Sequence, residues 1–167
     1  GVLYTGGPRP YGYEGMGELF VFLFFGVVAV TGSYYVQIQE LPWEALVLAV
    51  PVGLLASAIL VVNNVRDLET DRRAGKRTLA VRVGRDRTRT LYAVMLATSY
   101  LTVLVPFAAG SLSAWLALPW LTAPLALKLH RTVSTHTDGP TLNAALAGTG
   151  QLEFLFCVLL AAGLLLS

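Results

Sequence analysis

Charged residues and cysteines are scarce in this sequence. Lys, Arg, Asp and Glu make up 13% of its 167 residues, against about 25% in an ordinary soluble domain. So few charges cannot solvate a globular surface, and the 55% of hydrophobic residues indicate lipid as the solvent. The single cysteine, Cys157, excludes an internal disulfide and lies in an apolar run, where a small packing residue is expected.

The first 18 residues lack the apolar core of a secretory signal peptide, because they are polar and rich in glycine. The sequence also lacks an initial Met. We therefore expect the chain to be a processed product or a fragment.

Long charge-free runs are abundant. A transmembrane helix needs about 20 mostly apolar residues, and the run 90–127 is long enough for two helices joined by a turn near Pro106 and Gly110. We predict one all-α domain, an integral membrane helical bundle with about five spans. Its predicted segments are a cytoplasmic substrate loop 1–18, two spans within 19–65, an aspartate-bearing cytoplasmic segment 66–89, a helical hairpin 90–127, a cytoplasmic loop 128–142 and a last span 143–166.

Positive charge is also absent from all the connections on one side of the predicted bundle. With five spans, all 12 Lys and Arg fall in the segments 1–18, 66–89 and 128–142, and none falls on the opposite side. The positive-inside rule then makes the basic side cytoplasmic, in a multi-pass protein of the cell membrane. A nucleic-acid-binding patch would not explain the apolar runs.

The segment NNVRDLETDRRAGKRTLAVRVGRDR, residues 63–87, carries the candidate site. If the second helix continues beyond the membrane surface, Asn64, Asp67 and Asp71 share one of its faces. Two carboxylates and an amide oxygen suit Mg²⁺, which also takes phosphate oxygens and water. The cations around this face are Arg66, Arg72, Arg73, Lys76 and Arg77. Carboxylates among so many cations indicate a polyanion bridged by a metal, such as a diphosphate. The alternative is an ordinary juxtamembrane loop whose cations set the topology and pair with acidic lipids.

Two further features are candidates. The segment YTGGPRPYGYEGMGE precedes the first span on the same side and offers phenolic donors, a cation and glycines that let the backbone approach a ligand; these donors are Tyr4, Arg9, Tyr11 and Tyr13. Its alternative is a flexible interfacial lead-in to a helix. Glu153 lies inside the last predicted span, where an acid is a functional candidate or a hydrogen-bonding partner of a neighbouring helix.

The sequence NNVRDLETDRRAGKRTLAVRVG resembles the second aspartate-rich motif of the UbiA superfamily of membrane prenyltransferases. Together with YTGGPRPYGYEGMGELFVFLFFGVVAVTGSYYVQ, it is similar to the 1,4-dihydroxy-2-naphthoate prenyltransferases of menaquinone and phylloquinone synthesis. The resemblance implies Mg²⁺-dependent ionisation of a polyprenyl diphosphate, attack by the naphthoate ring, and release of CO₂ and diphosphate.

The resemblance also implies roles for single residues. Asp67 and Asp71 match the catalytic metal ligands, and Asn64 matches the asparagine that precedes them. The residues that match the diphosphate-binding positions are Tyr4, Arg9, Tyr11, Tyr13, Arg72, Lys76 and Arg77.

Members of this superfamily have about nine spans and a first motif NDxxDxxxD, which this sequence lacks. It resembles the C-terminal half, and we expect activity to require an N-terminal half or a second protomer. The alternatives are a related prenyltransferase with another aromatic acceptor, or a non-catalytic membrane scaffold.

Overall fold

The computed structural model describes residues 15–167, and within this range all regular structure is helical. Helix α1 contains a π-helical stretch, Phe22–Val28, and α6 is a 3-10 helix that leads directly into α7. The helices are α1 Gly17–Ile38, α2 Trp43–Arg73, α3 Leu79–Val83, α4 Arg85–Thr102, α5 Val105–Ala108, α6 Ala114–Thr122, α7 Ala123–Thr135 and α8 Gly139–Leu165.

Four helical segments in the described range are long and apolar enough to cross a membrane: α1, α2, α4 with α5, and α8. The all-α membrane bundle predicted from the sequence is therefore confirmed. The second arm of the predicted hairpin is not one long α-helix. It is divided between α6 and α7, where Pro119 and Pro124 each remove a backbone donor.

The divided arm still crosses the whole bundle. At one end, Ser113 Oγ lies 2.9 Å from Ser167 Oγ, beside the end of α8. At the other end, the side chain of Arg89 donates to the carbonyls of Val133 and His136 at 2.8 and 2.6 Å. Helices α6 and α7 together rise by about 37 Å, more than the hydrocarbon thickness of about 30 Å. In the described residues, α6 and α7 thus connect the two ends of the bundle, beside the four segments that are long and apolar enough to cross a membrane.

Helix α2 is the centre of the bundle and packs against α1, α4 and α8. Its buried face carries apolar residues such as Leu55, Val61 and Val65, none of which is exposed. Polar side chains between the other helices are paired: Tyr92 Oη lies 3.0 Å from Thr149 Oγ1. The C-terminal part of α2 is joined to α1 through Asn64, to α4 through the Val65 carbonyl and to α8 through Arg66.

A side-chain cap sets the start of α8. Asp138 Oδ1 accepts a hydrogen bond from the backbone N–H of Thr141 at 2.9 Å and so caps α8. The side-chain and backbone hydrogen bonds from Thr141 hold the pKa of Asp138 below its ordinary value. This cap fixes where α8 begins, at the same end of the bundle as the C-terminus of α2.

Helix α1 approaches α2 closely because two glycines face each other. A Cβ placed on Gly53 would lie 2.8 Å from the carbonyl oxygen of Phe22 and 2.9 Å from the Cα of Gly26. Such distances are too short for any side chain. The contact therefore requires glycine at both positions and fixes the distance between the two backbones.

We expect Gly53→Val to push α1 away from α2 and to lower the free energy of unfolding by about 1–3 kcal/mol, as overpacked cores do. Denaturant unfolding in detergent micelles measures this loss. The matched control is Gly32→Val on α1, where a Cβ meets nothing within 4 Å, and its change should stay within about 0.5 kcal/mol. Equal losses in both variants would contradict the close contact.

Candidate functional site

One end of the bundle, which we call the cation-rich end, carries all the Lys and Arg of the described residues. It is formed by the start of α1, the C-terminal turns of α2, helix α3, and the ends of α4, α7 and α8 that meet them. Arg66 on α2 donates to Asn143 Oδ1 on α8 at 2.9 Å, and Arg85 on α4 donates to the carbonyl of Val65 at 2.8 Å. The elements of this end are therefore joined by side-chain hydrogen bonds.

Asn64, Asp67 and Asp71 lie on the C-terminal turns of α2, which continues without a break to Arg73. The helix therefore gives these residues the spacing of a shared face. Asn64 and Asp71 are buried, at 6% and 7% exposure, while a third of the Asp67 side chain is exposed. The face is thus open at Asp67 and covered on both sides of it.

Arg66 holds Asp67 through two hydrogen bonds. Its Nε and Nη2 atoms donate to Oδ1 and Oδ2 of Asp67 at 2.8 and 2.7 Å. The same guanidinium donates to Asn63 Oδ1 at 2.8 Å and to Asn143 Oδ1. A planar guanidinium matches a carboxylate in this two-point geometry. Arg66 therefore neutralises Asp67 and ties it to α8.

Lys76 holds Asp71. After α2 ends, Gly75 adopts a positive φ of 72° and turns the chain back, a conformation that glycine adopts at little cost. The backbone N–H of Lys76 donates to the Asp71 carbonyl, and its Nζ donates to Asp71 Oδ1, both at 3.0 Å. The turn thus places an ammonium group over a carboxylate that is otherwise buried.

Glu18 is a site residue that the sequence reasoning did not single out. It lies in the first turn of α1 and is 6% exposed. Its Oε1 accepts a hydrogen bond of 2.7 Å from Asn64 Nδ2. The available signal was an acid directly before a charge-free run of residues. Glu18 therefore places a carboxylate against Asn64, on the helix that also carries Asp67 and Asp71.

Two further predicted residues, Arg72 and Arg77, point to solvent. Arg72 is exposed and pairs with Glu69 at 3.2 Å, and Arg77 is exposed beyond the end of α2. Four residues of the predicted diphosphate loop lie outside the described residues, and these are Tyr4, Arg9, Tyr11 and Tyr13.

An apolar groove continues from this face towards the middle of the bundle, between α1 and α8. Its volume is about 580 Å³, and Asn63, one turn before Asp67, lies on its wall. Half-buried Glu153 also lines it, so the predicted intramembrane acid faces this groove. The apolar lining residues are Val21, Phe25, Ala56, Ile59, Leu60 and Leu146. We call this cavity the α1–α8 groove.

The side-chain oxygens on this face could bind a hard divalent cation only together with oxygens from another source. Among residues 15–167, no group of three or more His, Cys, Asp and Glu side chains is arranged to hold a metal ion. Asp67 and Asp71 offer carboxylate oxygens one turn apart. Mg²⁺ commonly takes one or two carboxylates and fills its other positions with phosphate oxygens and water. The chemistry of the face therefore suits a metal that arrives with a phosphate ligand.

The sequence is similar to that of known membrane proteins. Residues 1–146 match the UbiA prenyltransferase family. The chain is 45% identical to a 1,4-dihydroxy-2-naphthoate octaprenyltransferase of Mycobacterium leprae, over 99% of this chain and 55% of that protein. It is 39% identical to the protein of the same name from Escherichia coli, over 99% of this chain and 54% of that protein.

A match over a shorter part of the chain is the UbiA prenyltransferase domain-containing protein 1 of Rattus norvegicus, 42% identical over 77% of this chain and 37% of that protein. The chain spans about half the length of the bacterial relatives it matches. The match to the family covers far more than half of the chain. The chain belongs to the UbiA prenyltransferase family.

Proposed function

We propose that this chain takes part in the transfer of a polyprenyl group from its diphosphate to 1,4-dihydroxy-2-naphthoate, a step of menaquinone or phylloquinone synthesis. The observation that carries the proposal is the position of Asp67 and Asp71 among cations, on the same helix as Asn63 in the wall of the α1–α8 groove. The names of the bacterial relatives support the choice of acceptor.

The two ends of a polyprenyl diphosphate need opposite surroundings, and this end of the bundle offers both. The diphosphate lies against the cation-rich end, where Lys76, Arg72 and Arg77 stabilise its negative charge. The isoprenoid chain enters the α1–α8 groove. The diphosphate-binding residues of this proposal also include four from the sequence before α1, and these are Tyr4, Arg9, Tyr11 and Tyr13.

Asn64, Asp67 and Asp71 would hold Mg²⁺ through their side-chain oxygens. When bound there, the metal adds positive charge that stabilises the departing diphosphate. Arg66 and Lys76 neutralise the two carboxylates in the structure as it stands. In the loaded site Arg66 and Lys76 would bind phosphate oxygens instead, and the metal would compensate the charge of the two carboxylates.

In the reaction, the bond between the allylic carbon and the diphosphate oxygen breaks, and its electron pair leaves with the diphosphate. The naphthoate ring carbon that carries the carboxylate forms the new carbon–carbon bond. The carboxylate then leaves as CO₂, and its bonding electrons return to the ring. Lys76 and Arg77 stabilise the charge that develops on the leaving group. The apolar walls of the groove keep water from the allylic cation.

A second part of the site comes from outside this chain, from an N-terminal half or from another protomer. The pair of aspartates leaves most of the metal's six positions to other oxygens. The aromatic face of α1 beside the groove is also uncovered, with Phe24 and Phe25 exposed at 53% and 66%. A neighbouring helix of either origin would close the groove there.

We expect Asp67→Asn to lower prenyl transfer by about 100-fold or more, the scale on which lost transition-state stabilisation is felt. The assay uses a chimera in which this chain replaces the matching segment of the Mycobacterium leprae relative. Membranes receive a polyprenyl diphosphate, 1,4-dihydroxy-2-naphthoate and Mg²⁺, and the prenylated product is quantified.

The matched control is Asp86→Asn, the same chemical change at the same end of the bundle. The Asp86 side chain is 97% exposed and pairs loosely with Arg89 at 3.6 Å. This variant should keep its activity within about twofold, since surface changes of this kind alter little. An Asp67→Asn chimera as active as the control would refute the metal role, and an inactive parent chimera would favour the scaffold alternative.

We also propose that the cation-rich end faces the cytoplasm in a cell membrane, because positive charge concentrates on that side of membrane proteins. In a Cys157→Ala background, Ser111→Cys reports on the opposite end and Thr137→Cys on the cation-rich end, and both positions are exposed. In intact bacterial spheroplasts, an impermeant maleimide should label the first variant. It should label the second only after permeabilisation, and the reverse pattern would contradict this orientation.

A further inference from the structure

Glu18 is a buried acid for which the prenyl-transfer proposal has no role. It is 6% exposed, and none of the ion pairs among the described residues involves it. Burial of a carboxylate without a cation is costly, because the lost hydration is not replaced. A residue that served only to fill space here would be an apolar one. The carboxylate of Glu18 therefore requires an explanation in terms of what it contacts.

Its side-chain contact is with Asn64. Asn64 Nδ2 donates to Glu18 Oε1 at 2.7 Å, and an amide nitrogen bound in this way fixes the amide oxygen on the opposite side of the group. Among residues 15–167, the buried side-chain atom left without a partner is Thr78 Oγ1. Asn64 Oδ1 is therefore not a buried atom without a partner. It remains accessible to a ligand on the face of α2 that carries Asp67 and Asp71.

We infer that Glu18 is a positioning residue for the metal side of this site: its carboxylate holds the Asn64 amide so that Oδ1 is presented as an oxygen ligand beside Asp67 and Asp71. This inference rests on the proposed function. Removal of a group that orients a metal ligand through a hydrogen bond commonly lowers metal affinity by about 10–100-fold.

Attachment of α1 to α2 does not depend on this carboxylate. Ser57 Oγ donates to the backbone carbonyl of Glu18 at 3.0 Å, and the Gly26–Gly53 contact lies further along the same pair of helices. Both contacts use backbone atoms of α1. Loss of the Glu18 side chain should therefore leave the helices together while it releases the amide of Asn64.

The first test measures metal binding without turnover. The 167-residue chain is placed in nanodiscs of neutral phosphatidylcholine, and Mn²⁺ is titrated in the presence of inorganic diphosphate, with free Mn²⁺ followed by electron paramagnetic resonance. Glu18→Ala should weaken binding by about 10–100-fold. Glu18→Gln should stay within about threefold of the parent chain, because its amide oxygen still accepts the hydrogen bond from Asn64.

Two further variants separate positioning from a general loss of structure. Ser57→Ala removes the neighbouring hydrogen bond to the Glu18 backbone and should bind Mn²⁺ like the parent chain. In an Asn64→Ala background, Glu18→Ala should cost nothing more, since a residue that acts through another has no effect once that other is gone. Full additivity of the two losses would overturn the inference, and so would a Glu18→Gln variant as weak as Glu18→Ala.

The second test needs no metal. In the metal-free chain with ¹⁵N-labelled asparagine, the side-chain amide signal of Asn64 should move upfield in Glu18→Ala and stay near its parent position in Glu18→Gln. An unchanged signal in Glu18→Ala would overturn the inference whatever the metal does. If the signal moves but Asp71→Asn binds Mn²⁺ as well as the parent chain, the metal site of the proposed function fails and the Glu18–Asn64 contact stands.

Discussion

A charged side chain is costly in the hydrocarbon of a bilayer, and this constraint decides where the chain can place its polar groups. In the described residues the cations lie at one end of the bundle, while the helices between the two ends bury apolar side chains and paired hydroxyls such as Tyr92 with Thr149. The carboxylates of Asp67 and Asp71 can be partly buried there because cations stand within hydrogen-bonding distance. Charge segregation and the candidate site thus have one physical origin.

Local backbone geometry fixes which cation contacts which carboxylate at the cation-rich end. Helix α2 carries Asp67 and Asp71 one turn apart, and the positive φ of Gly75 brings Lys76 back over Asp71. Arg66 reaches its neighbour Asp67 and also Asn143 on α8. Each carboxylate is therefore stabilised by a cation that is fixed by a helix contact or a turn. A metal with a diphosphate could exchange with these cations without leaving either acid uncompensated.

The sequence was sufficient for the class of fold and for the location of the charges. Charge-free runs predicted the membrane helices. Because each span takes the chain to the other side of the membrane, five spans placed every Lys and Arg on one side. The contacts of Arg66 and Arg89 agree with this placement. Periodicity also put Asn64, Asp67 and Asp71 on one helical face. These features depend on the local sequence, which is why they are readable without tertiary structure.

Contacts between distant segments were not readable in this way. Glu18 and Asn64 are 46 positions apart, and nothing in either neighbourhood predicts their hydrogen bond. The division of one crossing into a 3-10 helix and an α-helix depends on prolines whose effect on a packed helix varies with its neighbours. The Gly26–Gly53 approach is likewise a property of two helices together.

The central claim is that Asp67 and Asp71 exchange their bound cations for a metal that carries the diphosphate. The most direct measurement is an experimental structure of the protein with Mn²⁺ and a non-reactive prenyl thiolodiphosphate, with the metal located by anomalous scattering. The account predicts a metal ion within coordination distance of both carboxylates, with the Arg66–Asp67 and Lys76–Asp71 contacts opened and the prenyl chain in the α1–α8 groove. A metal bound elsewhere, with both ion pairs intact, would contradict it.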